Sequence, residues 1–195
     1  MPDAADIVSH SEPESGENPW VHGAPPEEAI KVVAYDPDWP ATFGRLAGAI
    51  ATALGAVALR IDHIGSTAVP GLAAKPVIDI DLTVKDPSDE KAYVPPLEEI
   101  GYDLVIREPA WHRHRCLRLD IPRVNLHVFG PDCPENIRHL LFRDWLGGHP
   151  EDRELYGQAK RRALEGARHV MNYNLRKQSV IRAIYARAFQ AAGLI

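Results

Sequence analysis

Residues 63–84, HIGSTAVPGLAAKPVIDIDLTV, place a Gly-Ser turn, two prolines, a lysine and two alternating carboxylates between apolar runs. The last eight residues alternate apolar and polar side chains, and this period of two is typical of a β-strand. Side chains two positions apart on a strand project from the same face, so Asp79 and Asp81 are predicted to point together. The stretch therefore predicts a strand with an acidic face, preceded by a turn at Gly65 and Ser66.

The segments around this stretch predict a fold of the α/β (α+β) class. Short apolar runs alternate with longer runs whose apolar residues recur every three or four positions, as strands and amphipathic helices do. The sequence predicts strands over IKVVAY (30–35), VALRIDHI (57–64), VIDIDLTV (77–84), WHRHRCLRLD (111–120) and VNLHVFG (124–130), with the last two antiparallel. It predicts helices over 36–54, over 88–102 with an interruption at two prolines, and over 134–146, 151–167 and 175–189 in a helical carboxyl-terminal third.

Charge is distributed unevenly along the chain. The first 28 residues hold seven of the 27 acidic residues, whereas all 22 Lys and Arg residues come later. A segment rich in acids and prolines, with few large apolar groups, cannot offset the entropy of its own ordering. We predict an acidic disordered tail over 1–27, with an arm folded onto the basic body as the alternative, and a single domain over 28–195.

Composition also bears on the compartment and on the class of protein. The two cysteines, Cys116 and Cys133, form no CxxC pattern, so neither a disulfide framework nor a structural zinc site is indicated. No apolar run approaches the roughly 18 residues of a membrane span, and the amino terminus does not resemble a signal peptide. We predict a cytoplasmic protein without a membrane partner.

The opening stretch suits phosphate chemistry. A Gly-Ser turn at the end of a strand exposes backbone N–H groups and a hydroxyl to an anion, and a lysine nearby neutralises its charge. Two carboxylates on one strand can share a divalent cation with phosphate oxygens. The predicted phosphate or nucleotide ligands are Gly65, Ser66, Thr67 and Lys75, and the predicted catalytic metal ligands are Asp79 and Asp81.

The spacing of these motifs resembles that of a known enzyme superfamily. The order hydrophobic-Gly-Ser, twelve residues, then Asp-x-Asp on a strand is similar to the signature of the DNA polymerase β-like nucleotidyltransferases. That resemblance implies a mixed or antiparallel sheet with flanking helices. It also implies a divalent metal, Mg²⁺ or Mn²⁺, held by the two carboxylates and by a third acid on a neighbouring strand.

The flanking segments resemble one family within that superfamily. VVAYDPDWPATF, IDHIGSTAVPGLAAKPVIDIDLTV, VNLHVFG, HLLFRDWLGGHPEDRELYGQAKRRAL and NYNLRKQSVIRAIYARA, in this order, look like the GrpB family, with coverage from about Lys31 to about Ala191. The resemblance implies the fold and does not imply a definite reaction. Some members occur beside dephospho-coenzyme A kinase, and this chain lacks the P-loop motif GxxxxGK[ST] of such a kinase.

The identity of the third metal ligand is open. His127 stands in LHV where the superfamily resemblance leads us to expect an acid, and imidazole favours Mn²⁺, Co²⁺ or Zn²⁺ over Mg²⁺. Asp120 is the alternative third ligand, provided that its strand neighbours the Asp-x-Asp strand. The structural interpretation of His127 is a hydrogen-bonded histidine in the sheet, and that of Asp120 is an aspartate that forms a turn.

Three further residues are candidates for the site. His63 precedes the Gly-Ser turn and is either a base or ligand or a brace for the turn. Arg113 and Arg115 share a strand face with Trp111 that suits a triphosphate, although a nearly neutral body makes strong binding to duplex nucleic acid unlikely.

The sequence as a whole predicts a metal-dependent nucleotidyltransferase that acts on a nucleoside triphosphate and a small acceptor. The alternatives are a catalytically silent module that binds a nucleotide or a coenzyme A precursor, and a structural domain that binds a protein partner. The first two hypotheses share a nucleotide or other phosphorylated small molecule as the ligand.

Overall fold

The computed structural model describes residues 2–10, 18–24, 31–164 and 170–195, with the side chains of 170–172 left out. Helices in these ranges are α1 (Ala4–Val8), α2 (Trp39–Leu54), α3 (Val94–Glu99), α4 (Pro134–Gly148), α5 (Pro150–Leu164) and α6 (Val170–Ala191). Strands are β1 (Arg60–Ile64), β2 (Ile78–Thr83), β3 (Asp103–Glu108), β4 (His114–Leu119) and β5 (Val124–Phe129). The described residues include no helix that is long and apolar enough to cross a membrane.

The five strands form one mixed sheet in the order β1-β2-β5-β4-β3. The central pair, β2 and β5, is parallel, whereas β1 with β2, β4 with β5 and β3 with β4 are antiparallel. The predicted mixed α/β architecture and the antiparallel pair formed by β4 and β5 are therefore confirmed.

Alternation along the strands gives the sheet two unlike faces. One face carries Ile80, Leu82 and Leu126, which are fully buried in a core shared with α2 and α3. Transfer of this apolar surface out of water is the main force that holds the sheet to these two helices. The register of β2 with β5 puts Asp79 beside Asn125 and Asp81 beside His127 on the opposite, polar face. Helices α4, α5 and α6 supply the groups that meet this polar face.

The predicted strands differ from the structure in three places. Residues 31–35 of the first predicted strand make only an isolated bridge between Val33 and Ala74, and residue 30 lies outside the described residues. Strand β3 was not predicted, because its charged residues mask the short apolar run that pairs with β4. The predicted strand over 111–120 begins only at His114, since the backbone turns at His112 and Arg113 with positive φ angles.

The predicted acidic tail falls partly outside the described residues, namely at 1, 11–17 and 25–27, and stays a prediction there. Its described parts contact the domain. Helix α1 buries Ile7, and Arg138 of α4 donates hydrogen bonds to the Ile7 and Ser9 carbonyl oxygens. Trp20 forms an isolated antiparallel bridge with Ile106 at the β3 edge. The same contacts favour the alternative of an arm folded onto the body.

Replacing Ile7 by Ala tests whether α1 is docked in solution. Ile7 is 5% exposed and Ile121 is 91% exposed, so the same truncation at Ile121 is a matched control. We expect Ile7→Ala to lower the free energy of unfolding in urea by about 1–3 kcal/mol and Ile121→Ala to change it by less than about 0.5 kcal/mol. Equal small effects would show that α1 is undocked.

Candidate functional site

A polar cavity of about 270 Å³ lies where β2 and β5 meet the carboxyl-terminal helices. We call it the lysine cavity, because Lys75, Lys160 and Lys177 contribute to its wall. These lysines come from the loop before β2, from α5 and from α6, so the tertiary fold alone brings them together. The other lining residues are Ser66, Val77, Asp79, Asn125, Tyr173 and Asn174.

Asp79 is the acidic group of the lysine cavity. Asn125 Nδ2 on the adjacent strand donates a hydrogen bond of 2.9 Å to Asp79 Oδ1. Burial raises the pKa of Asp79, while the hydrogen bond from Asn125 and the positive charges of His139, Lys177 and Lys75 act in the opposite direction. Asp79 therefore lies close to the positive charges of Lys75 and Lys177.

Lys160 is buried, with 2% of its surface exposed. Its Nζ donates hydrogen bonds to Ser66 Oγ at 2.5 Å and to the Ala73 carbonyl oxygen at 3.0 Å. Nζ also lies 4.3 Å from the centre of the Tyr156 ring. Burial, and then the charge of Lys177, lower the pKa of Lys160 to about 6. Removing an ammonium from water disfavours its charged form, so Lys160 is largely neutral at pH 7.

Lys177 repeats this arrangement on α6. Its Nζ lies 4.6 Å from the centre of the Tyr173 ring, and burial lowers the pKa of Lys177 to about 8. Tyr156 and Lys160, like Tyr173 and Lys177, are separated by one helical turn. The sequence thus carries Tyr-x-x-x-Lys twice, as YGQAK and YNLRK. This repeated pattern was the available signal for two lysines that the sequence analysis did not single out.

The turn after β1 allows Asp79 to approach the backbone closely. Gly65 has a φ of +68°, and a Cβ atom at this position would lie 2.5 Å from Asp79 Oδ2. Only glycine combines this left-handed conformation with the required space. Ser66 follows in a short 3₁₀ turn, Ser66–Ala68, and its hydroxyl reaches the lysine cavity.

Thr67 braces this turn from within the fold. It is 1% exposed, and its hydroxyl donates a hydrogen bond of 3.1 Å to the Val77 carbonyl oxygen. His63 Nε2 lies 3.0 Å from Thr67 Oγ1, and the imidazole stacks on Phe43. Burial and the charge of Arg143 lower the pKa of His63 to about 4. The geometry of His63 corresponds to the bracing interpretation, whereas Thr67, predicted as a phosphate ligand, is buried and does not line the lysine cavity.

Asp81 lies deeper than Asp79 and joins a second group of polar residues. It is fully buried, and its Oδ2 accepts a hydrogen bond of 2.9 Å from His139 Nδ1. The Nδ1 atom of the neighbouring His127 lies 3.1 Å from His114 Nε2, and His114 Nδ1 lies 2.6 Å from Glu108 Oε2. Burial lowers the pKa of His127 well below its ordinary value, so this imidazole is neutral.

The predicted metal site does not fit this geometry. The part of the chain that the structure describes has no group of three His, Cys, Asp or Glu side chains placed to hold a metal ion. Asp79 and Asp81 are hydrogen-bonded to Asn125 and His139, and His127 faces His114. Asp120 is excluded as the third ligand, because β5 separates its strand from β2 and its exposed side chain pairs with Arg118.

The two arginines proposed for triphosphate binding lie away from the lysine cavity. Arg115 is buried, and its Nε atom donates a hydrogen bond of 2.6 Å to Glu90 Oε1. Arg113 lies in the turn before β4 and pairs with Asp86 at 3.0 Å. Of the predicted site residues, the structure brings together Ser66, Lys75 and Asp79 at the cavity, with Gly65 beside them, and adds Lys160, Lys177 and Asn125.

Comparisons with known proteins agree on one family. The sequence profile described as GrpB protein matches residues 29–187. The chain is 46% identical over 165 residues to a UPF0157 protein of Halalkalibacterium halodurans, which covers 84% of this chain and 85% of that protein. It is 34% identical over 190 residues to a dephospho-CoA kinase of Mycolicibacterium paratuberculosis, which covers 84% of this chain but 47% of the kinase.

A solved structure extends this agreement to the fold. The crystal structure of conserved protein GrpB from Enterococcus faecalis superposes with a TM-score of 0.74 at 32% sequence identity. The superposition covers 83% of this chain and 99% of that one. The mixed sheet and its helices are therefore the architecture of that protein as well.

Substituting Gly65 by Ala tests the close approach of the turn to Asp79. Gly55 also has a positive φ, of 52°, but nothing lies within 4 Å of a Cβ built there, so Gly55→Ala measures backbone strain alone. We expect losses in the free energy of unfolding of more than about 2 kcal/mol for Gly65→Ala and of about 1 kcal/mol for Gly55→Ala. Equal losses in chemical denaturation would mean that the turn does not press on Asp79.

Proposed function

This chain belongs to the GrpB family, and we propose that it binds a small phosphorylated molecule, either a nucleotide or a precursor of coenzyme A, in the lysine cavity. The observation that carries the proposal is the convergence of Lys75, Lys160 and Lys177 on one cavity beside the Ser66 hydroxyl. Ammonium groups and hydroxyls donate strong hydrogen bonds to phosphate oxygens.

The charge balance of the cavity favours an anion. Among the described lining residues, the charges of Lys75 and Lys177 face the one carboxylate of Asp79, and burial lowers the pKa values of Lys160 and Lys177 by removing their hydration. A phosphate group would supply negative charge and hydrogen-bond acceptors together. It would also raise the pKa of Lys177, so that cation and anion stabilise each other.

The size of the cavity limits what it can enclose. Its volume of about 270 Å³ is slightly below the roughly 300–1,000 Å³ of pockets that bury a whole drug-sized ligand. A pyrophosphate or a ribose phosphate would fit inside, and the rest of a nucleotide or coenzyme A precursor would extend past the exposed Asn174. We therefore assign the cavity to the phosphorylated end of the ligand.

The mycobacterial relatives give limited support to a coenzyme A precursor as the ligand. They are named dephospho-CoA kinase, and this chain matches less than half of their length. The kinase activity belongs to those whole proteins. What this chain shares with them is the matched part, which is consistent with a domain that binds a related ligand.

Metal-dependent nucleotidyl transfer is the second candidate function. The Gly65-Ser66 turn and the paired Asp79 and Asp81 favour it, and they carry the resemblance to the DNA polymerase β-like superfamily, which stays a prediction. That reaction relies on metal ions held by carboxylates, and the described side chains do not form such a site. We therefore place binding first and nucleotidyl transfer second.

Inorganic pyrophosphate provides the simplest test, because it presents phosphate oxygens without a base or a sugar. In a buffer that contains EDTA, we expect pyrophosphate to stabilise the protein against thermal unfolding, by about 2.7 kcal/mol at a concentration 100 times its Kd. Lys177→Met should weaken this binding by more than about tenfold, since a phosphate contact is lost. Lys85→Met removes an exposed lysine outside the cavity and should change nothing.

The same assay with ATP and with dephospho-coenzyme A, each with EDTA, Mg²⁺ or Mn²⁺, separates the candidate functions. Stabilisation that persists in EDTA supports the binding module. Stabilisation that requires a metal supports nucleotidyl transfer. If pyrophosphate, ATP and dephospho-coenzyme A all fail to stabilise the protein, both candidate functions are overturned. The remaining hypothesis is then a domain that binds a protein partner.

A further inference from the structure

We propose that Ser66 and Lys160 form a nucleophile and its general base, and that Ser66 accepts a phosphoryl group from the molecule bound in the lysine cavity. The choice of a phosphoryl group rests on the proposed function, whereas the pairing of the two side chains rests on geometry alone. A serine hydroxyl is a weak nucleophile unless a neighbouring base takes its proton during attack.

The contact between the two groups is direct. Ser66 Oγ and Lys160 Nζ are 2.5 Å apart, and the second hydrogen bond of Lys160, to the Ala73 carbonyl oxygen, fixes the direction of the amine. Lys160 is 2% exposed, so water does not compete with Ser66 for the amine. Ser66 itself is half-buried and lines the lysine cavity, where a ligand can reach Oγ.

The surroundings of Lys160 favour the neutral amine that a base requires. Burial and the charge of Lys177 lower the pKa of Lys160 to about 6, and the negative charge of Asp79 acts in the opposite direction. The Tyr156 ring packs against Nζ, and burial raises the pKa of Tyr156 to about 12, so its phenol, which is hydrogen-bonded to Ser66, stays neutral. At pH 7 the neutral amine has a lone pair, and reversal of its 2.5 Å hydrogen bond with Ser66 lets it take the hydroxyl proton while it still donates to the Ala73 carbonyl oxygen.

The reaction balances without a redox partner. Ser66 Oγ attacks phosphorus, its proton passes to Lys160 Nζ, the bond between phosphorus and the leaving oxygen breaks, and Lys160 returns the proton to that oxygen. Water then attacks the phosphoserine, Lys160 Nζ takes a proton from the water and returns it to Ser66 Oγ as the Oγ–P bond breaks, and the net change is hydrolysis of a phosphate ester or anhydride. Lys75 and Lys177, which line the same cavity, would neutralise charge on the phosphoryl oxygens.

Diisopropyl fluorophosphate tests the pair without depending on the natural ligand, because it is uncharged and reacts with activated serines. We expect one adduct, mapped by peptide mass spectrometry to Ser66, with a labelling rate that rises as pH passes through about 6 and then levels off as Lys160 becomes neutral. Lys160→Met should slow labelling about 100-fold or more, which is the typical contribution of a general base.

Two controls accompany this experiment. Ser66→Ala should abolish the adduct, and Ser179→Ala, at an exposed serine on α6, should leave its rate unchanged. If Lys160→Met fails to fold, the pH profile of the natural protein decides the question. A labelling rate that keeps rising tenfold per pH unit up to pH 9, the absence of a Ser66 adduct, or equal labelling in folded Lys160→Met would each overturn the proposal.

The outcome is separable from that of the pyrophosphate assay. Pyrophosphate stabilisation without labelling would retain the binding site and remove the nucleophile. Labelling without pyrophosphate stabilisation would retain the activated serine and remove the assignment of its substrate to the phosphorylated class. Protection of Ser66 from labelling by pyrophosphate would support both.

Discussion

The burial of two carboxylates on one face of β2 governs what surrounds them. A buried charge is costly unless hydrogen bonds or opposite charges replace the lost water. Asp81 has His139 of α4 as its partner, and Asp79 has Asn125 of β5 together with lysines from the loop before β2 and from α6. The helices of the carboxyl-terminal third therefore do more than cover the sheet, since they bring the cations that an acidic strand requires.

Asp79 and Asp81 differ in the groups that surround them, and this difference determines which of the two carboxylates lies beside a ligand cavity. Around Asp81 there are two separate contacts: His139 donates to Asp81 Oδ2, and His127 pairs with His114, while Asp81 Oδ1 has no hydrogen-bond partner among the described residues. Around Asp79 the lysines outnumber the acid and line a cavity. One end of the same strand thus serves structure, and the other end has the charge and space for an anionic ligand.

The sequence predicted those parts that depend on local pattern. Alternation identified β2 and the pair formed by β4 and β5, and the Gly-Ser motif located the turn at Gly65. The placement of LHV beside the Asp-x-Asp strand was also right, as the register of Asp81 with His127 shows. His127 was expected to face a metal beside the two carboxylates. Its Nδ1 atom instead contacts His114 on β4, and the sequence gives no sign of this contact between strands.

What local pattern did not reveal is long-range contact. Lys160 meets Ser66 across 94 positions of sequence, and neither neighbourhood signals the other. The charged residues of β3 hid an edge strand, and the acid-rich composition of the first residues hid the buried Ile7. In each case tertiary packing overrode the prediction that local composition favoured.

The location of a bound phosphate tests the central claim most directly. A crystal structure of the full chain grown with pyrophosphate and EDTA should show phosphate oxygens within hydrogen-bond distance of Ser66, Lys75 or Lys177 inside the lysine cavity. Pyrophosphate bound instead at the Arg113 turn, or a lysine cavity that stays free of it at saturating concentration, would contradict the account.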